Sequence, residues 1–373
     1  MKVAIVSTYL PQQCGIATYT DYLVQKMKKL YPELQIKIVA EREAVAVKES
    51  NFEVIPAWTR KENYVEPIYE EVRDCDVVHI QHEYSIYSFD DRLPRLLEKL
   101  DGKVKRVITT HCIRPAQFSE RGAVDENYSK KIAERADEII VHLPSQKDIL
   151  KRLGIKEDKI HLIPHGTEIT SEAPAYSRRR LKLPENGKIL LMFGFVKPHK
   201  NLHIVLDALK EIQEKRKDVY LFVAGGLAPT AKPRDKEYVD LIYQKIDELE
   251  LKENVIFPNF FYPNEEVPYI FGASDIVLFP YYEEDRSASG SFHLAIGAGK
   301  PVIASRIPKF EELKNISDEL LVLPYNASGI ANIILRILED EEFRKYILDK
   351  TESYKQETSW DNTVKKHMEI YQK

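Results

Sequence analysis

The stretch KILLMFGFVKPHKN, residues 188–201, joins an unbroken apolar segment to a glycine and a basic loop. Apolar residues then recur with the spacing of an amphipathic helix at Leu202, Val205, Leu206, Leu209 and Ile212. A short apolar strand that leads through a loop into a helix is typical of parallel sheets buried on both faces. The stretch therefore predicts an α/β fold with a parallel sheet.

Short apolar runs alternate with longer helical stretches on both sides of residues 188–201. A first series of predicted strands covers residues 3–7, 35–39, 76–81, 107–110, 138–142 and 160–163. A second series covers residues 188–195, 219–224, 255–257, 275–280, 301–305 and 320–323. Two Rossmann-like, doubly wound domains that face a cleft are the expected architecture.

A polar stretch rich in turn-forming residues, 164–187, lies between the two series and is the predicted linker. We therefore expect an N-terminal domain over residues 1–170 and a C-terminal domain over residues 171–358. The end of the chain, 359–373, begins with a capping serine and has apolar residues at helical spacing. It predicts a last helix, and the spacing alone allows packing on either domain.

Composition and charge exclude several classes of protein. The 373 residues suffice for two domains, and 55 Lys and Arg against 59 Asp and Glu provide no overall positive charge for nucleic acid. Three cysteines without paired spacing favour a reducing cytoplasm. The first residues read as a strand rather than a signal peptide, and no apolar run is long enough to span a bilayer. Peripheral contact with an inner membrane face stays compatible with the sequence.

Candidate residues in the first domain follow the predicted strands, since ligands of open α/β sheets bind beyond the carboxyl ends of strands. Gly15 lets a ligand approach the backbone or makes a tight turn. His111 hydrogen-bonds a ligand hydroxyl or is a satisfied strand-end histidine. His82 and Glu83 are candidates for contact with a sugar or an acceptor. His79 and His82 point to opposite faces of their strand, so no metal site is expected.

The second domain offers two sites for an anion. Lys197 and Lys200 lie near a helix N-terminus, which cations avoid unless an anionic ligand is shared. Arg286 precedes the segment Ser287–Ser291, which is predicted to begin a helix with free backbone N–H groups and hydroxyls. Ser289, Gly290 and Ser291 are the candidates in this segment. Two such sites on one domain predict a diphosphate ligand.

With these elements in order, the chain resembles the retaining glycosyltransferases of family four, which have the GT-B fold. The resemblance covers nearly the whole chain. It rests on the motifs Cys14–Thr18, Thr110–His111, Ile163–Gly166, Gly194–Asn201, Ala273–Asp275, Gly299–Ser305 and Ser359–Trp360. It implies that Gly15 faces a donor diphosphate, that His111 lies near the transferred sugar and that Lys200 holds the diphosphate. It also implies that the last helix returns to the first domain.

The chain departs from the family pattern at two places. Phe195 stands where the family usually has Arg, a charge that Lys197 supplies instead. The family's two donor-holding glutamates fall on Arg286 and Leu294, neither of which accepts a hydrogen bond from a hydroxyl. We therefore expect Glu283, Glu284 or Asp285 to contact the donor; a solvated acidic turn is the alternative.

The resemblance implies a retaining, metal-independent hexosyltransferase, with mannose or glucose favoured and no cofactor. Its donor is a GDP- or UDP-linked sugar, and its acceptor is a glycan, a lipid or a small molecule. The missing glutamates leave a second hypothesis, a catalytically weak nucleotide-sugar-binding or partner subunit. A nicotinamide oxidoreductase is disfavoured because the chain lacks G-x-G-x-x-G.

Overall fold

The computed structural model describes residues 1–228, 231–282 and 286–373, with Arg286 described by its backbone alone. The described chain forms two compact units. The first contains Met1–Gly166, Trp360–Lys373 and a short segment that ends at Gly290. The second contains the rest of the chain between Thr167 and Ser359.

Sixteen strands occur in the described residues. They are β1 Lys2–Ser7, β2 Gln35–Glu41, β3 Val47–Lys48, β4 Phe52–Trp58, β5 Val77–His82, β6 Lys105–Thr110, β7 Cys112–Ile113, β8 Glu138–Val141, β9 Ile160–Leu162, β10 Lys188–Phe193, β11 Val219–Ala224, β12 Val255–Ile256, β13 Ile276–Phe279, β14 Arg286–Ser287, β15 Val302–Ser305 and β16 Leu321–Val322. Each strand of the two predicted series is present.

Thirteen α-helices connect or cover the strands of the described chain. They are α1 Gly15–Leu30, α2 Val65–Val72, α3 Arg92–Leu100, α4 Ala123–Arg135, α5 Pro144–Arg152, α6 Pro174–Leu181, α7 Leu202–Lys215, α8 Pro233–Glu248, α9 Val267–Ala273, α10 Gly290–Gly297, α11 Ala327–Glu339, α12 Glu341–Glu357 and α13 Trp360–Gln372.

The first unit is an eight-stranded sheet in the order β3-β4-β2-β1-β5-β6-β8-β9, parallel except for the β3–β4 pair. Strand order reverses between β1 and β5, which pair in the register Val3↔Val77. In doubly wound sheets such a switch point is where ligands bind. The sequence pattern missed β4, because Pro56 interrupts an alternation that buries Phe52 and Val54.

The last helix packs on the first unit, as the resemblance implies. On α13, Trp360, Val364 and Met368 share a buried apolar cluster with Val3 and Ile5 of β1. Gly166 lies against the Trp360 indole so closely that a Cβ there would overlap the ring.

The second unit is a six-stranded parallel sheet in the order β12-β11-β10-β13-β15-β16. Its switch point lies between β10 and β13. The stretch predicted as a linker contains a helix: residues 174–181 form α6, which is part of this unit. Buried Arg178 on α6 donates to the carbonyl oxygens of Ala273 and Gly187 at 3.0 and 2.9 Å. These bonds satisfy a guanidinium that apolar periodicity could not place.

Candidate functional site

In the first unit, the loop after β1 leaves the beginning of α1 open. Gly15 is exposed, and a Cβ added to it would meet no atom within 4 Å. Cys14, at the N-cap, makes no side-chain capping hydrogen bond. The first backbone N–H groups of α1 are therefore not capped by this side chain, as an anion site at a helix N-terminus requires.

His111 follows β6 and is buried with both ring nitrogens paired. Its Nε2 lies 2.8 Å from Gln81 Oε1, and its Nδ1 lies 3.2 Å from His142 Nε2. The Tyr19 ring meets the imidazole edge-on, with the centroids 4.7 Å apart. Burial holds the pKa of His111 well below its ordinary value, so the ring is neutral at pH 7. A ligand hydroxyl that reaches this ring must share or replace one of its present hydrogen bonds.

His79 and His82 lie on opposite faces of β5, as strand alternation predicts. His79 pairs with the Tyr371 hydroxyl at 2.6 Å and with Thr109 Oγ1 at 2.7 Å. His82 is buried among the rings of Tyr84, Tyr87 and Tyr128.

Neither ring nitrogen of His82 has a hydrogen-bond partner among the described residues, and the same is true of the Tyr87 and Tyr128 hydroxyls. The His82 imidazole thus sits inside the core, while the neighbouring Glu83 carboxylate is half-buried and accepts from Ser85 N at 2.7 Å. In the described part of the chain, no three His, Cys, Asp or Glu side chains are grouped to hold a metal ion.

In the second unit, Lys200 reaches back over the end of β10. Its Nζ donates to the Phe193 carbonyl at 3.3 Å and lies 5.3 Å from the centre of the Tyr281 ring. Gly194 beside it has φ of +90°, and a Cβ there would lie 3.1 Å from Nζ. The glycine therefore leaves the space that the ammonium group uses.

The loops after β10 and β13 are joined at this switch point. Asn201 Nδ2 donates to the Pro280 carbonyl at 2.8 Å, and Tyr282 N donates to the His199 carbonyl at 3.1 Å. These bonds fix the segment that carries Lys200 just before α7. The side chain of Lys197, which precedes the 3-10 turn Pro198–Lys200, is half-buried. Phe195, in place of the expected Arg, stacks on Phe261 at 5.4 Å.

The segment before α10 differs from the sequence prediction. Ser287 does not begin a helix; it lies in β14 and pairs with Cys112 of β7. The helix begins at Gly290, after the buried Ser289, and Ser291 is half-buried within its first turn. Leu294 packs against the apolar core of the second unit. Glu283, Glu284 and Asp285, together with the Arg286 side chain, lie outside the described residues.

Sequence reasoning singled out His111 but missed the residues that hold it. Gln81 lies two residues after His79 on β5 and therefore faces the same side of the sheet, and His142 follows β8. Polar residues at alternate positions of a strand buried on both faces indicate a buried hydrogen-bond network. Nothing in the local sequence indicated that Tyr371 bonds His79, because the two residues are 292 positions apart in the chain.

Two family models match the chain, and together they cover most of it. Residues 15–171 match the model described as Glycosyltransferase Family 4, and residues 176–353 match the model described as Glycosyl transferases group 1. Among curated relatives, the D-inositol 3-phosphate glycosyltransferase of Corynebacterium urealyticum is 26% identical over 79% of this chain and 71% of its own length. The chain spans 59% to 72% of the length of such relatives.

Solved structures agree with the fold over the full chain. HepE of Anabaena, solved in complex with UDP, has a TM-score of 0.76 at 18% identity and covers 100% of both chains. The sucrose-phosphate synthase of Thermosynechococcus elongatus has a TM-score of 0.75 at 19% identity and covers 100% and 98%. The expected fold class is thereby confirmed. None of the described helices has the length and apolar character needed to cross a membrane.

Proposed function

We propose that the chain is a glycosyltransferase that moves a hexose from a nucleotide diphosphate sugar to an acceptor hydroxyl with retention of the anomeric configuration. The two halves match two glycosyltransferase family models, and the fold is that of a solved GT-B structure. Glucose or mannose is the proposed hexose. The acceptor is a glycan, a lipid or a small molecule. HepE has been solved with UDP and with UDP-glucose, which favours a UDP-linked donor over a GDP-linked one.

The observation that carries this proposal is the position of Lys200. Its ammonium group lies at the switch point of the second sheet, over a glycine and at the N-terminal side of α7. A cation there is repelled by the helix dipole, and a bound diphosphate removes that cost. Lys197 adds a second positive charge three residues away.

The proposed reaction needs charge stabilisation more than a protein base. The bond between the anomeric carbon and the diphosphate oxygen breaks, and Lys200, Lys197 and the start of α10 neutralise the leaving diphosphate. The acceptor oxygen forms the new bond on the same face, and its proton passes to the departing phosphate oxygen. No metal ion takes part in this scheme.

The first unit contributes an open helix start and a neutral ring in this proposal. Gly15 leaves the beginning of α1 open to the diphosphate, and neutral His111 hydrogen-bonds a hydroxyl of the transferred hexose. Glu83, half-buried after β5, is on the acceptor side in this proposal, whereas the neighbouring His82 lies inside the core.

Release of nucleoside diphosphate tests the function. The purified chain is incubated with UDP-glucose, UDP-galactose, GDP-mannose or ADP-glucose, with and without a panel of sugar, polyol and lipid acceptors. We expect one donor to be consumed faster when an acceptor is present, and the proton coupling at the anomeric carbon of the product to match that of the donor. An inverted product would rule out retention, and no turnover of any donor would contradict the proposal.

A catalytically weak binding subunit remains the second candidate because of Leu294. This side chain packs on the core, where the family has a glutamate for the donor. Tight donor binding without hydrolysis or transfer would favour this candidate, whereas slow donor hydrolysis in the absence of acceptor would count against it.

A further inference from the structure

A stripe of polar side chains crosses an otherwise apolar face of the first sheet. His79 and Gln81 alternate with apolar residues on β5, Thr109 and His111 follow the same alternation at β6, and His142 follows β8. On the same face, Val77, Val107 and Ile140 belong to the buried apolar cluster that includes Trp360, Val364 and Met368 of α13. Because buried polar groups need partners, the stripe must hold a connected set of hydrogen bonds.

The hydrogen bonds form one chain of contacts. Tyr371 pairs with His79, Gln81 lies 3.2 Å from His79 Nε2 and 2.8 Å from His111 Nε2, and His111 lies 3.2 Å from His142. At the far end, His142 Nδ1 lies 2.9 Å from the carbonyl oxygen of Ile163.

The carbonyl at that end fixes the position of each proton. A carbonyl only accepts, so His142 must carry its proton on Nδ1. In the neutral ring His142 Nε2 is then an acceptor, and the atom facing it, His111 Nδ1, must donate. A neutral His111 therefore has its lone pair on Nε2, toward Gln81. The NH₂ group of the Gln81 amide must face that lone pair, which requires a half-turn of the amide from the orientation with Oε1 toward His111.

The alternative proton arrangement is costly. If Gln81 Oε1 accepts from His111 Nε2, the Nδ1 atom of His111 and the Nε2 atom of His142 face each other with two lone pairs, or an extra proton charges the pair. A positive charge on this buried pair loses its hydration, which costs more than turning a side-chain amide. Burial lowers the pKa of His111 and of His79 well below the ordinary value, which agrees with neutral rings.

We propose that His142 is a positioning residue that fixes His111 in the Nδ1-protonated tautomer, so that His111 offers a ligand only a hydrogen-bond acceptor at Nε2. The hydroxyl that binds this ring must therefore donate its proton to the ring. The role of His111 toward the hexose rests on the proposed function; the tautomer does not, because it follows from contacts inside the first unit.

The test is the tautomer of His111 in the full chain. Histidine labelled with ¹⁵N gives different long-range ¹H–¹⁵N patterns for the two tautomers and for the doubly protonated ring, and single substitutions assign the signals. At pH 7.5 we expect Nδ1 protonation of both His111 and His142. In His142→Leu the His111 signals should change to those of a mixture of tautomers. In His142→Gln an amide oxygen can replace His142 Nε2 as the acceptor for His111 Nδ1, so the parent pattern should be kept.

A second variant tests the same logic from the other side of the ring. In Gln81→Glu a carboxylate that cannot donate faces His111 Nε2. The acceptor atom of His142, Nε2, still requires a proton on Nδ1 of His111. We expect His111 to be doubly protonated at pH 7. His161→Gln is the control, since His161 pairs with Glu138 outside the stripe, and it should leave the His111 signals unchanged.

Two results would overturn the proposal: a wild-type His111 protonated on Nε2, or an unchanged Nδ1 tautomer in folded His142→Leu. The wild-type spectrum needs no substitution, so a variant that fails to fold does not leave the tautomer undecided. With an active donor, His142→Leu should lower kcat at least about tenfold and His142→Gln much less. The expected spectra without turnover of any donor would uphold the tautomer and contradict the proposed function.

Discussion

The switch points of the two sheets share a topology but differ in chemistry. On the β5 side of the first switch point, the carboxyl edge of the sheet has the buried, hydrogen-bonded rings of His111 after β6 and His142 after β8, and His111 is neutral. After β10 and β13 the second sheet has a glycine with positive φ, an ammonium group and a backbone-bonded loop. The difference indicates that the histidine rings of the first sheet suit hydroxyl groups, whereas the lysine-bearing loop of the second suits a charged diphosphate. Substitutions in the two sheets should therefore affect different properties of the protein.

Lys200→Ala should produce the largest effect. Loss of one preorganised contact to a leaving group typically removes about 3 to 4 kcal/mol of stabilisation, so transfer should fall at least about a hundredfold with little change in stability. Lys197→Ala should cost less. Lys215→Ala, at the exposed opposite end of α7, is the matched control. Near-normal kcat/KM in Lys200→Ala would remove this lysine from the mechanism.

The acidic residues after β13 should matter next. One of Glu283→Ala, Glu284→Ala and Asp285→Ala should raise the donor KM about tenfold, since a hydrogen bond to a charged group contributes about 1.5 to 3 kcal/mol. Separate measurement of KM and kcat shows whether binding or turnover changes. Parent-like constants in all three variants would make these carboxylates surface charges.

His82→Phe tests the side of β5 that lies away from His79. Burial lowers the pKa of His82 to about 3, so between pH 6.5 and about 3 the unfolded chain binds a proton that the folded chain does not. The contribution of His82 to the free energy of unfolding is therefore fully present above about pH 6.5. Below that pH it falls by about 1.4 kcal/mol per pH unit.

The Phe variant should lack that contribution, and its unfolding free energy should depend less steeply on pH between about 4.5 and 6.5. Urea unfolding at a series of pH values measures the difference in slope. Parallel curves for the variant and the parent would mean that His82 is protonated in the folded chain.

Chelation should have the smallest effect. We expect transfer to continue at an unchanged rate after exhaustive treatment with EDTA, because lysines take the role of a cation in the proposed mechanism. Activity lost in EDTA and restored by magnesium or manganese would contradict metal independence.

The sequence predicted the strands better than the contacts that build the site. Apolar runs such as Val219–Ala224 mark buried strands by composition alone, and that run matches β11 at both ends. The helix α6 was missed because its buried residues, Ser177 and Arg178, are polar, and Arg178 is satisfied by the Ala273 carbonyl and the Asp275 carboxylate, both more than 90 residues away in the chain. The sequence identified motif residues but not the contacts that require them. Gly166, for example, must be glycine because the indole of Trp360, 194 residues further on, packs against it. Long-range pairs of this kind leave no local periodicity.

Donor-induced stabilisation of the folded chain tests most directly whether the second edge binds a nucleotide diphosphate sugar. The melting midpoint is measured with UDP-glucose, UDP-galactose, GDP-mannose and ADP-glucose at increasing concentrations, in the parent, Lys200→Ala and Lys215→Ala. We predict that one donor raises the midpoint in proportion to the logarithm of its concentration, in the parent and in Lys215→Ala but not in Lys200→Ala. An equal shift in Lys200→Ala, or no shift with any of these donors at millimolar concentration, would contradict a diphosphate site at this edge.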